Sequence, residues 1–523
     1  MQGNMARALK KRASKLSYQS TGQLYLEGFE TPFSQKLSVN NRWVQLSNQI
    51  PWDTIVNVYT KQLNNKTTGA GNVNGRVVLG ALMIKHMCNL SDEETILQIQ
   101  ENMYMQYFLG YSSYSNEAPF DSSLFVQIRK RLGVEELNAI NERIYELSLK
   151  NNATTNENED STKGNDVMGL TETTSKQQEE EITTVAISEN EVEENGEPLT
   201  HKGRIILDAT ACPQDIAYPT DLKILNDCRE KTEELIDLVY YSELHGTLKP
   251  RTYRENARKA YLYVAQRRKR TEQLIRKGVG KQLRYVRRNI RILNILLGGY
   301  ERCPLKPREL KYLMVVNEVY RQQELMFRKR IHKVEDRIVS IHQPHVRPIV
   351  RGKEKAKVEF GSKLNLSLVD GYSFIDHLSW DAYNEGTLLI ESVNLYRERH
   401  GYLPKEILAD QIYCNRENRS SLKTLGIRLI AKPLGRPPAV KLEHLRPGER
   451  NPIEGKFGQA KTRYGMDRIK ARLRETSESW IASIVLVLNL VKLAGQAPYW
   501  LIRNLMVRLI ENYIILRNQL LFQ

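Results

Sequence analysis

The chain is poor in the residues and motifs that build several common kinds of site. Its five cysteines, spread over 523 residues, include no Cys-x-x-Cys pair, which argues against zinc or disulfide frameworks and for a reducing cytosolic compartment. No GxxxxGK[ST] sequence is present, so ATP use through a P-loop is unsupported. The nine histidines show no HExxH or other ligand spacing, and we assign them no metal.

Long apolar runs are also missing. The N-terminus is basic and polar without an apolar core, which predicts no export signal. The most apolar stretch, Trp480 to Ala494, is interrupted by Asn489 and Lys492. At about fifteen residues it is shorter than the roughly 20 residues that a bilayer span needs. It therefore predicts a buried core helix, and no membrane partner is expected.

The chain carries an excess of positive charge, with a formal net charge of +17 and a pI near 9.4. Residues 151–200 oppose this trend with 13 acids and two lysines, a composition typical of a disordered acidic linker. The rest of the chain therefore carries +28. Such a balance indicates a polyanionic partner, nucleic acid or a membrane surface, because clustered Lys and Arg bind phosphates.

The most basic segment runs from Gly246 to Ser340, with 26 Lys or Arg against 8 Asp or Glu. Apolar residues in it recur at spacings of four and three, which predicts two packed helices joined at GGYERCPLKP. The first seam is Val279, Leu283, Val286, Ile290, Leu293 and Leu297; the second is Leu313, Tyr320, Phe327, Ile331, Val334, Ile338 and Ile341. A solvated helix face would explain the charge, but because balancing acids are missing we favour binding to a phosphate backbone.

The sequence of residues 1–150 predicts a helical domain. Ser91 followed by Glu94 forms a capping-box pattern before a helical apolar repeat. A later helix ends in the basic cluster Arg129, Lys130 and Arg131, which suits a helix-turn-helix type of DNA-binding unit. Basic helix ends also arise from the helix dipole, so this pattern alone decides nothing.

From residue 201 the pattern changes to strands. GRIILDATA ends its apolar run in Asp208, KLNLSLVDG ends in Asp370, and LPKEILADQIYCN is a short strand ending in Asp410. A segment that is helical almost throughout then opens at Glu454. This order predicts an α/β fold, a mixed sheet flanked by helices, in which carboxylates at strand ends gather at one edge.

The order ILDATACPQDIAYPTD, ILADQIYCN, RNPIEGKFGQAKTRYG resembles the DDE transposases of bacterial insertion sequences, most closely the insertion sequence five group with its helical N-terminal domain. The stretches NRWVQLSNQIPW, LSDEETILQIQEN and PFDSSLFVQIRKRL are similar to that N-terminal domain. The related insertion sequence four group has a Tyr, Arg, Glu, Lys signature whose spacing Arg450, Glu454 and Lys461 match, while Pro447 stands at the Tyr position.

This resemblance implies a ribonuclease H-like catalytic sheet in which Asp208, Asp410 and Glu454 are the catalytic, metal-binding triad. The expected cofactor is two Mg²⁺ ions, with Mn²⁺ possible in their place, since magnesium prefers hard oxygen ligands. Lys461 lies two helical turns after Glu454 and is expected to hold a DNA phosphate, as is Arg450, for which a surface salt bridge is an equal alternative.

Other carboxylates compete for these roles. Asp215 and Asp221 are interpreted as hydrogen-bonded turn residues, and Asp370 as part of a hairpin because DGYSFIDH follows it. Without the resemblance, Asp410 is preferred to Asp370 only because it follows a helical crossover.

The predicted organisation has five parts. They are an N-terminal DNA-binding domain (1–150), an acidic linker (151–200), a catalytic domain (201–218 with 345–495), a basic helical insertion (219–344) and a C-terminal helix (496–523). The expected function is cleavage and strand transfer at the inverted repeats of the chain's own insertion sequence, by a homodimer on double-stranded DNA in the cytoplasm, at the nucleoid. The alternative is a non-catalytic DNA-binding descendant.

Overall fold

The computed structural model describes residues 37–61, 63, 72–160, 201–350, 358–432 and 448–495. The predicted acidic linker after Asp160 and the predicted C-terminal helix, 496–523, lie outside the described residues.

The described part of the N-terminal region is helical. Its helices are α1 (Arg42–Gln49), α2 (Trp52–Lys61), α3 (Gly75–Met87), α4 (Asp92–Glu101), α5 (Met103–Phe108), α6 (Leu124–Arg131) and α7 (Val134–Asp160). Helix α4 begins where the sequence predicts, because the Ser91 hydroxyl accepts a hydrogen bond from the Glu94 amide at 3.0 Å. Helix α7 continues ten residues into the segment predicted as a linker.

The second region is built on a mixed sheet, which confirms the predicted α/β class. Its strands are β1 (Arg204–Pro213), β2 (Arg347–Val350), β3 (Val358–Val369), β4 (Tyr372–Ser379), β5 (Glu406–Leu408) and β6 (Arg428–Ile430). Strands β2 and β4 pair with β3, which lies beside β1, followed by β5 and β6. β1 is antiparallel to β3 and parallel to β5, and β5 is parallel to β6.

The turn between β3 and β4 is the hairpin predicted around Asp370. Val369 pairs with Tyr372, so only Asp370 and Gly371 form the turn. Both have positive φ, 50° and 77°, as the two central residues of a type I′ turn require. Asp370 is therefore a turn residue, which agrees with its interpretation from the sequence.

Asp208 does not end its strand, contrary to the sequence-based expectation. β1 continues to Pro213, and Asp208 pairs with Leu366 of the antiparallel neighbour β3. On the other side, the parallel pairing with β5 stops at Ile206 opposite Leu408. Asp208 thus lies where the short neighbouring strand has ended, which opens the sheet beside it.

The basic insertion folds as a helical bundle. Its helices are α8 (Asp221–Val239), α9 (Ser242–His245), α10 (Arg254–Ala265), α11 (Glu272–Gly298) and α12 (Pro307–Lys329). The first predicted seam is correct up to its last member: Val279, Leu283, Val286, Ile290 and Leu293 are buried in α11, and Leu297 is half-buried. Helix α11 packs against α8 as well as α12, so the predicted two helices are part of a larger bundle.

The second predicted seam is wrong beyond Lys329. Helix α12 ends there, with Arg330 in the left-handed conformation at φ 56°. The residues from Ile331 to Ile341 in that seam therefore lie outside the helix. The apolar residues that α12 does bury are Leu313, Val316, Val319 and Met326. The repeat in the sequence continues past the helix because Ile338 and Ile341 are buried from the segment that follows.

Four helices flank the sheet. They are α13 (Leu389–His400), α14 (Arg416–Thr424), α15 (Asn451–Thr462) and α16 (Arg474–Gly495). By length and composition α16 could cross a membrane, but 72% of its most apolar window is buried within the protein. It is the core helix that the sequence predicts.

Asn489 and Lys492, which interrupt the apolar run of α16, have specific partners. The buried Asn489 side chain donates to Asn141 Oδ1 of α7 at 3.1 Å and to the Ser373 carbonyl of β4 at 2.8 Å. Lys492 donates to the carbonyl of Asp370 at the hairpin turn. Helix α16 therefore joins the N-terminal helices to the sheet, and one continuous apolar core covers both.

Candidate active site

Three acids from separate segments of the chain line one cleft of about 820 Å³. Asp208 comes from β1, Asp410 follows β5 directly, and Glu454 lies in the first turn of α15. Asp410 accepts a hydrogen bond from the Gln411 amide at 2.7 Å, and Asp208 accepts one from the Ala209 amide at 2.8 Å. The structure thus brings together the three acids that the sequence predicts as a set.

Helix α15 divides its residues between the core and the cleft. Ile453, Phe457 and Ala460 are buried at helical spacing, which fixes the orientation of the helix. Their neighbours on the next face, including Glu454 and Lys461, line the cleft. The predicted alignment of Glu454 with Lys461 on one face is confirmed.

Arg450, which precedes α15, binds two of the three acids. Its Nη2 lies 3.0 Å from Asp208 Oδ2, and its Nη1 lies 3.1 Å from Asp410 Oδ1. The side chain of Asp208 is 16% exposed and that of Asp410 is 53% exposed. Of the two alternatives for Arg450, the structure therefore shows an ion pair, and it is formed inside the cleft.

Burial makes the charge on Asp208 unfavourable. Desolvation raises its pKa to about 6, while the Arg450 guanidinium and the Ala209 amide oppose the rise. The carboxylates of Glu385 and Asp410 add to the rise because like charges nearby disfavour ionisation. A cation beside Asp208 is thus electrostatically favoured.

Glu385 is a cleft residue that the sequence did not indicate. It begins a short 3-10 turn behind the cap residue Asn384 and lines the same cleft as Asp208. Lys363 of β3 pairs with it at 2.9 Å, and the two side chains are only 15% and 18% exposed. Lys363 opens the predicted strand KLNLSLVDG and Glu385 belongs to no motif, so no signal in the sequence indicated this pair.

The residues of the cleft fit a divalent metal in their chemistry. Carboxylate oxygens are the ligands that Mg²⁺ prefers, and two carboxylates already converge on one cation, the Arg450 guanidinium. Among the described residues, no three His, Cys, Asp or Glu side chains are close enough to hold a metal together. The three acids would therefore have to come closer together for all of them to share one.

Comparison with known families gives two matches. The model described as "Transposase DDE domain" matches residues 407–491, and "Transposase domain (DUF772)" matches residues 31–131. Both are transposase domains. Together they support a DDE transposase, for which DNA is the expected partner and divalent metals the general requirement. The first match includes Asp410 and Glu454, whereas Asp208 lies outside it.

A curated relative is similar to a shorter part of the chain. It is the uncharacterized protein ORF8 in the nfe locus of Rhizobium meliloti, 36% identical over 75 residues. That alignment covers 14% of this chain and about a third, 36%, of the relative. No solved structure matches the chain.

The basic cluster at the end of α6 divides in two. Arg129 is buried, and its guanidinium donates to both oxygens of Asp92 at 2.9 and 2.8 Å, which corrects its expected role as a DNA contact. Lys85 of α3 binds the same carboxylate at 2.9 Å. Lys130 and Arg131 are exposed. Only these two present their charges where DNA could reach them.

The competing aspartates have hydrogen-bond partners outside the cleft. Asp215 binds Arg468 at 2.8 Å, and Asp221, at the start of α8, binds Arg337 at 2.7 Å and Gln323 at 3.0 Å. Both aspartates are therefore hydrogen-bonded, as interpreted, but Asp221 is the first residue of helix α8 and not a turn residue.

Proposed function

We propose that this chain is a transposase that binds the terminal inverted repeats of its own insertion sequence, and cleaves and joins DNA through Asp208, Asp410 and Glu454. The observation that carries the proposal is the convergence of these three acids, from β1, from the end of β5 and from α15, on one cleft. The two transposase-domain matches support the class of reaction.

We propose a ribonuclease H-like arrangement for the sheet. The order β4, β3, β1, β5, β6, with the first three strands antiparallel and the last two parallel to β1, supports it. In this arrangement the first acid lies on the central strand and the second follows the neighbouring parallel strand. The resemblance to the insertion sequence five group supports the same assignment.

In the proposed mechanism, the three carboxylates would hold two Mg²⁺ ions, or Mn²⁺, and the metal would supply activation of the attacking water and stabilisation of the leaving oxygen of a phosphodiester. The protein's own cationic side chains bind the DNA phosphates. Lys461 holds a DNA phosphate beside the acids, and Arg450 exchanges its carboxylate partners for phosphate when DNA arrives. Water attacks a phosphodiester and breaks its P–O3′ bond, which leaves a 5′-phosphate and frees a 3′-OH. That hydroxyl then attacks a phosphodiester of the target strand and displaces a target 3′-OH, so no covalent protein intermediate is needed.

The two ends of an element must be cut together, so we propose that a homodimer acts on double-stranded DNA, at the nucleoid in the cytoplasm. Mass photometry of the protein with duplexes that carry the terminal repeats tests this directly. Two chains on two DNA ends is the expected stoichiometry, and a single chain per cleaved pair of ends would contradict it.

The decisive experiment is a 3′-end cleavage assay on the element's terminal repeats, with Mg²⁺ or with a chelator. We expect cleavage only with the metal, and we expect Asp410→Asn to abolish it while DNA binding persists. Cleavage by Asp410→Asn at the wild-type rate would eliminate the proposed triad. Specific binding without any cleavage by the wild type would instead identify a non-catalytic DNA-binding descendant.

A further inference from the structure

Helix α11 carries a row of unpaired cations on its solvent face. Lys277, Lys281, Arg284 and Arg291 are all exposed and follow one another at spacings of four, three and seven residues. These spacings place all four on one face of the helix. At 1.5 Å per residue, the row is about 21 Å long. We call these four residues the α11 basic row.

The charge of this row is not balanced by its own helix. In α11, seven Lys or Arg accompany a single acid, Glu272, at the first position. Several other cations of the insertion do have partners, for example Arg254 with Asp237 and Arg321 with Glu318. In the part of the chain that the structure describes, no member of the α11 basic row forms an ion pair.

Such a row destabilises the isolated helix. Like charges three or four residues apart on a helix repel each other and destabilise it. An ordinary solvated helix would carry Glu or Asp at some of these positions. The repulsion is relieved when a polyanion lies along the face, so the arrangement favours binding rather than folding.

Helix α11 itself is held tightly in the bundle. A Cβ atom at Gly278 would lie 3.0 Å from Val264 of α10, and one at Gly280 would lie 3.0 Å from the Phe327 ring of α12. These two glycines allow close packing of the three helices. The α11 basic row is therefore presented on a rigid helix and keeps a fixed spacing.

Arg288 lies on the same face of α11 as the row, but its side chain makes contacts that stabilise the fold. It donates to the Thr252 carbonyl, and its guanidinium lies 4.7 Å from the Tyr253 ring and 5.1 Å from the Tyr285 ring. It fixes the segment before α10 against the middle of α11. Arg288 therefore has a structural role, whereas in the described region the four residues of the α11 basic row have none.

We propose that the α11 basic row binds the sugar-phosphate backbone of double-stranded DNA, independently of sequence. Phosphates follow one another every 3.4 Å of duplex axis on each strand, so a row of about 21 Å spans about six base pairs. The inference rests on the proposed function in that DNA is the expected polyanion. It adds a second DNA contact, carried by the insertion, to the contacts at the cleft.

The test uses the full chain and a fluorescent 40-base-pair duplex of unrelated sequence, so that it does not depend on recognition of inverted repeats. The variant replaces Lys277, Lys281, Arg284 and Arg291 with Gln. The matched control replaces four other exposed cations of the insertion with Gln, namely Arg302, Arg308, Lys311 and Lys329. Both variants lose the same net charge.

Affinity is measured as a function of salt concentration. Log K falls as log salt rises, and each lost phosphate contact makes this slope less steep by about 0.9. We therefore expect the steepness of the slope to fall by about 3 to 4 for the variant and by less than about 1 for the control. At 0.1 M salt, binding of the variant should be about tenfold weaker or more. Thermal unfolding of both variants should match the wild type, because the replaced side chains are exposed.

An unchanged slope in a folded variant overturns the proposal, as does an equal decrease in the control. A loss of binding to phosphatidylserine vesicles without a change for DNA would assign the row to a membrane surface instead. If the wild type fails to cleave terminal repeats but the α11 basic row still controls the salt slope, the catalytic proposal fails and this one stands.

Discussion

The Nη2 atom of Arg450 lies 3.0 Å from Asp208 Oδ2, and the Nη1 atom of the same guanidinium lies 3.1 Å from Asp410 Oδ1. One planar, permanently charged group therefore holds two carboxylates that come from different strands. Both carboxylate oxygens are the atoms that a divalent metal would need. Arg450 and a metal ion must consequently compete for them.

The first prediction concerns this competition. Arg450→Ala removes the competing cation, so we expect Mn²⁺ to bind the DNA-free protein about tenfold more tightly, which corresponds to about 1.4 kcal/mol. The same variant should cleave DNA more slowly, because a phosphate contact is lost as well. Calorimetry and the paramagnetic signal of Mn²⁺ measure the affinity without any need for turnover.

Two further variants make this result interpretable. Arg450→Lys keeps a charge but cannot bridge two carboxylates with a planar fork, so its Mn²⁺ affinity should lie between those of Ala and the wild type. Asp410→Asn should lose metal binding whether residue 450 is Arg or Ala. Weaker Mn²⁺ binding by Arg450→Ala would show that the arginine supports the metal site instead of competing for it.

The second prediction concerns Lys363 and Glu385 in the same cleft. Lys363→Met leaves a largely buried carboxylate without its partner, which should lower the free energy of unfolding by about 2 kcal/mol. Lys363→Met with Glu385→Leu removes both charges and should recover most of that loss. Urea unfolding measures each step. Removal of the exposed pair Arg143 and Glu146 is the control and should cost less than about 1 kcal/mol.

Equal destabilisation by the single and double changes would mean that Lys363 acts through its other contacts. Its ammonium also donates to the Tyr383 carbonyl at 2.9 Å and lies 4.7 Å from that ring. In that case the pair with Glu385 would contribute little to stability.

The resemblance to DDE transposases assigned Asp208, Asp410 and Glu454 to one site, whereas the residues alone predicted only that carboxylates gather at one edge of the sheet. The sequence could not place Asp208 within its strand. Whether a strand continues past an acid depends on its neighbours: β3 pairs with β1 as far as Pro213, whereas β5 stops short. Pairing lengths of this kind are set by tertiary contacts.

Arg129 and Glu385 show two other limits of sequence reasoning. Arg129 stands in a basic cluster typical of a DNA-binding surface, yet its partner Asp92 is 37 residues away and reaches it only in the folded bundle. Glu385 lies in an irregular segment without a repeat or motif. A side chain's partner from a distant segment decides whether its charge is available, and one sequence does not contain that information.

The third prediction separates structure from binding in the Arg129 cluster. Arg129→Met leaves the Asp92 carboxylate with Lys85 alone, and it removes a guanidinium that lies 5.5 Å from the Trp480 ring of α16. We expect about 3 kcal/mol of destabilisation in urea unfolding, with little change in the DNA affinity of the folded fraction.

The neighbouring pair is the matched comparison. Lys130→Gln with Arg131→Gln should leave stability within about 0.5 kcal/mol, since both side chains are exposed. It should lower the salt slope of DNA binding by up to about 1.8, or 0.9 for each contact. If Arg129→Met kept full stability and lost DNA affinity, the original assignment of Arg129 to DNA would be restored.

The last prediction concerns acid stability. Burial, together with Arg474 nearby, lowers the pKa of His345 to about 4, and the ring lies 4.4 Å from that of Trp380. The unfolded chain has a pKa near 6.5 at this residue and so takes up the proton first. Stability from the neutral ring is therefore present above pH 6.5 and is lost as the pH falls towards 4.

His345→Phe keeps an aromatic ring against Trp380 but cannot be protonated. Between pH 7 and pH 5, the wild type should lose about 1–2 kcal/mol more of its unfolding free energy than this variant. Taking the difference between wild type and variant cancels the opposite contribution of Asp208, whose raised pKa of about 6 favours the folded state as the pH falls.

His400 offers an independent second site for the same measurement. Burial and the adjacent Arg399 lower its pKa to about 4 as well, and its ring lies 4.2 Å from that of Tyr396. Because the two histidines share no partner, the effects of His345→Phe and His400→Phe should add in the double variant. Urea unfolding at pH 7 and pH 5 measures all four proteins. Parallel losses in the wild type and the double variant would show that other groups control acid unfolding.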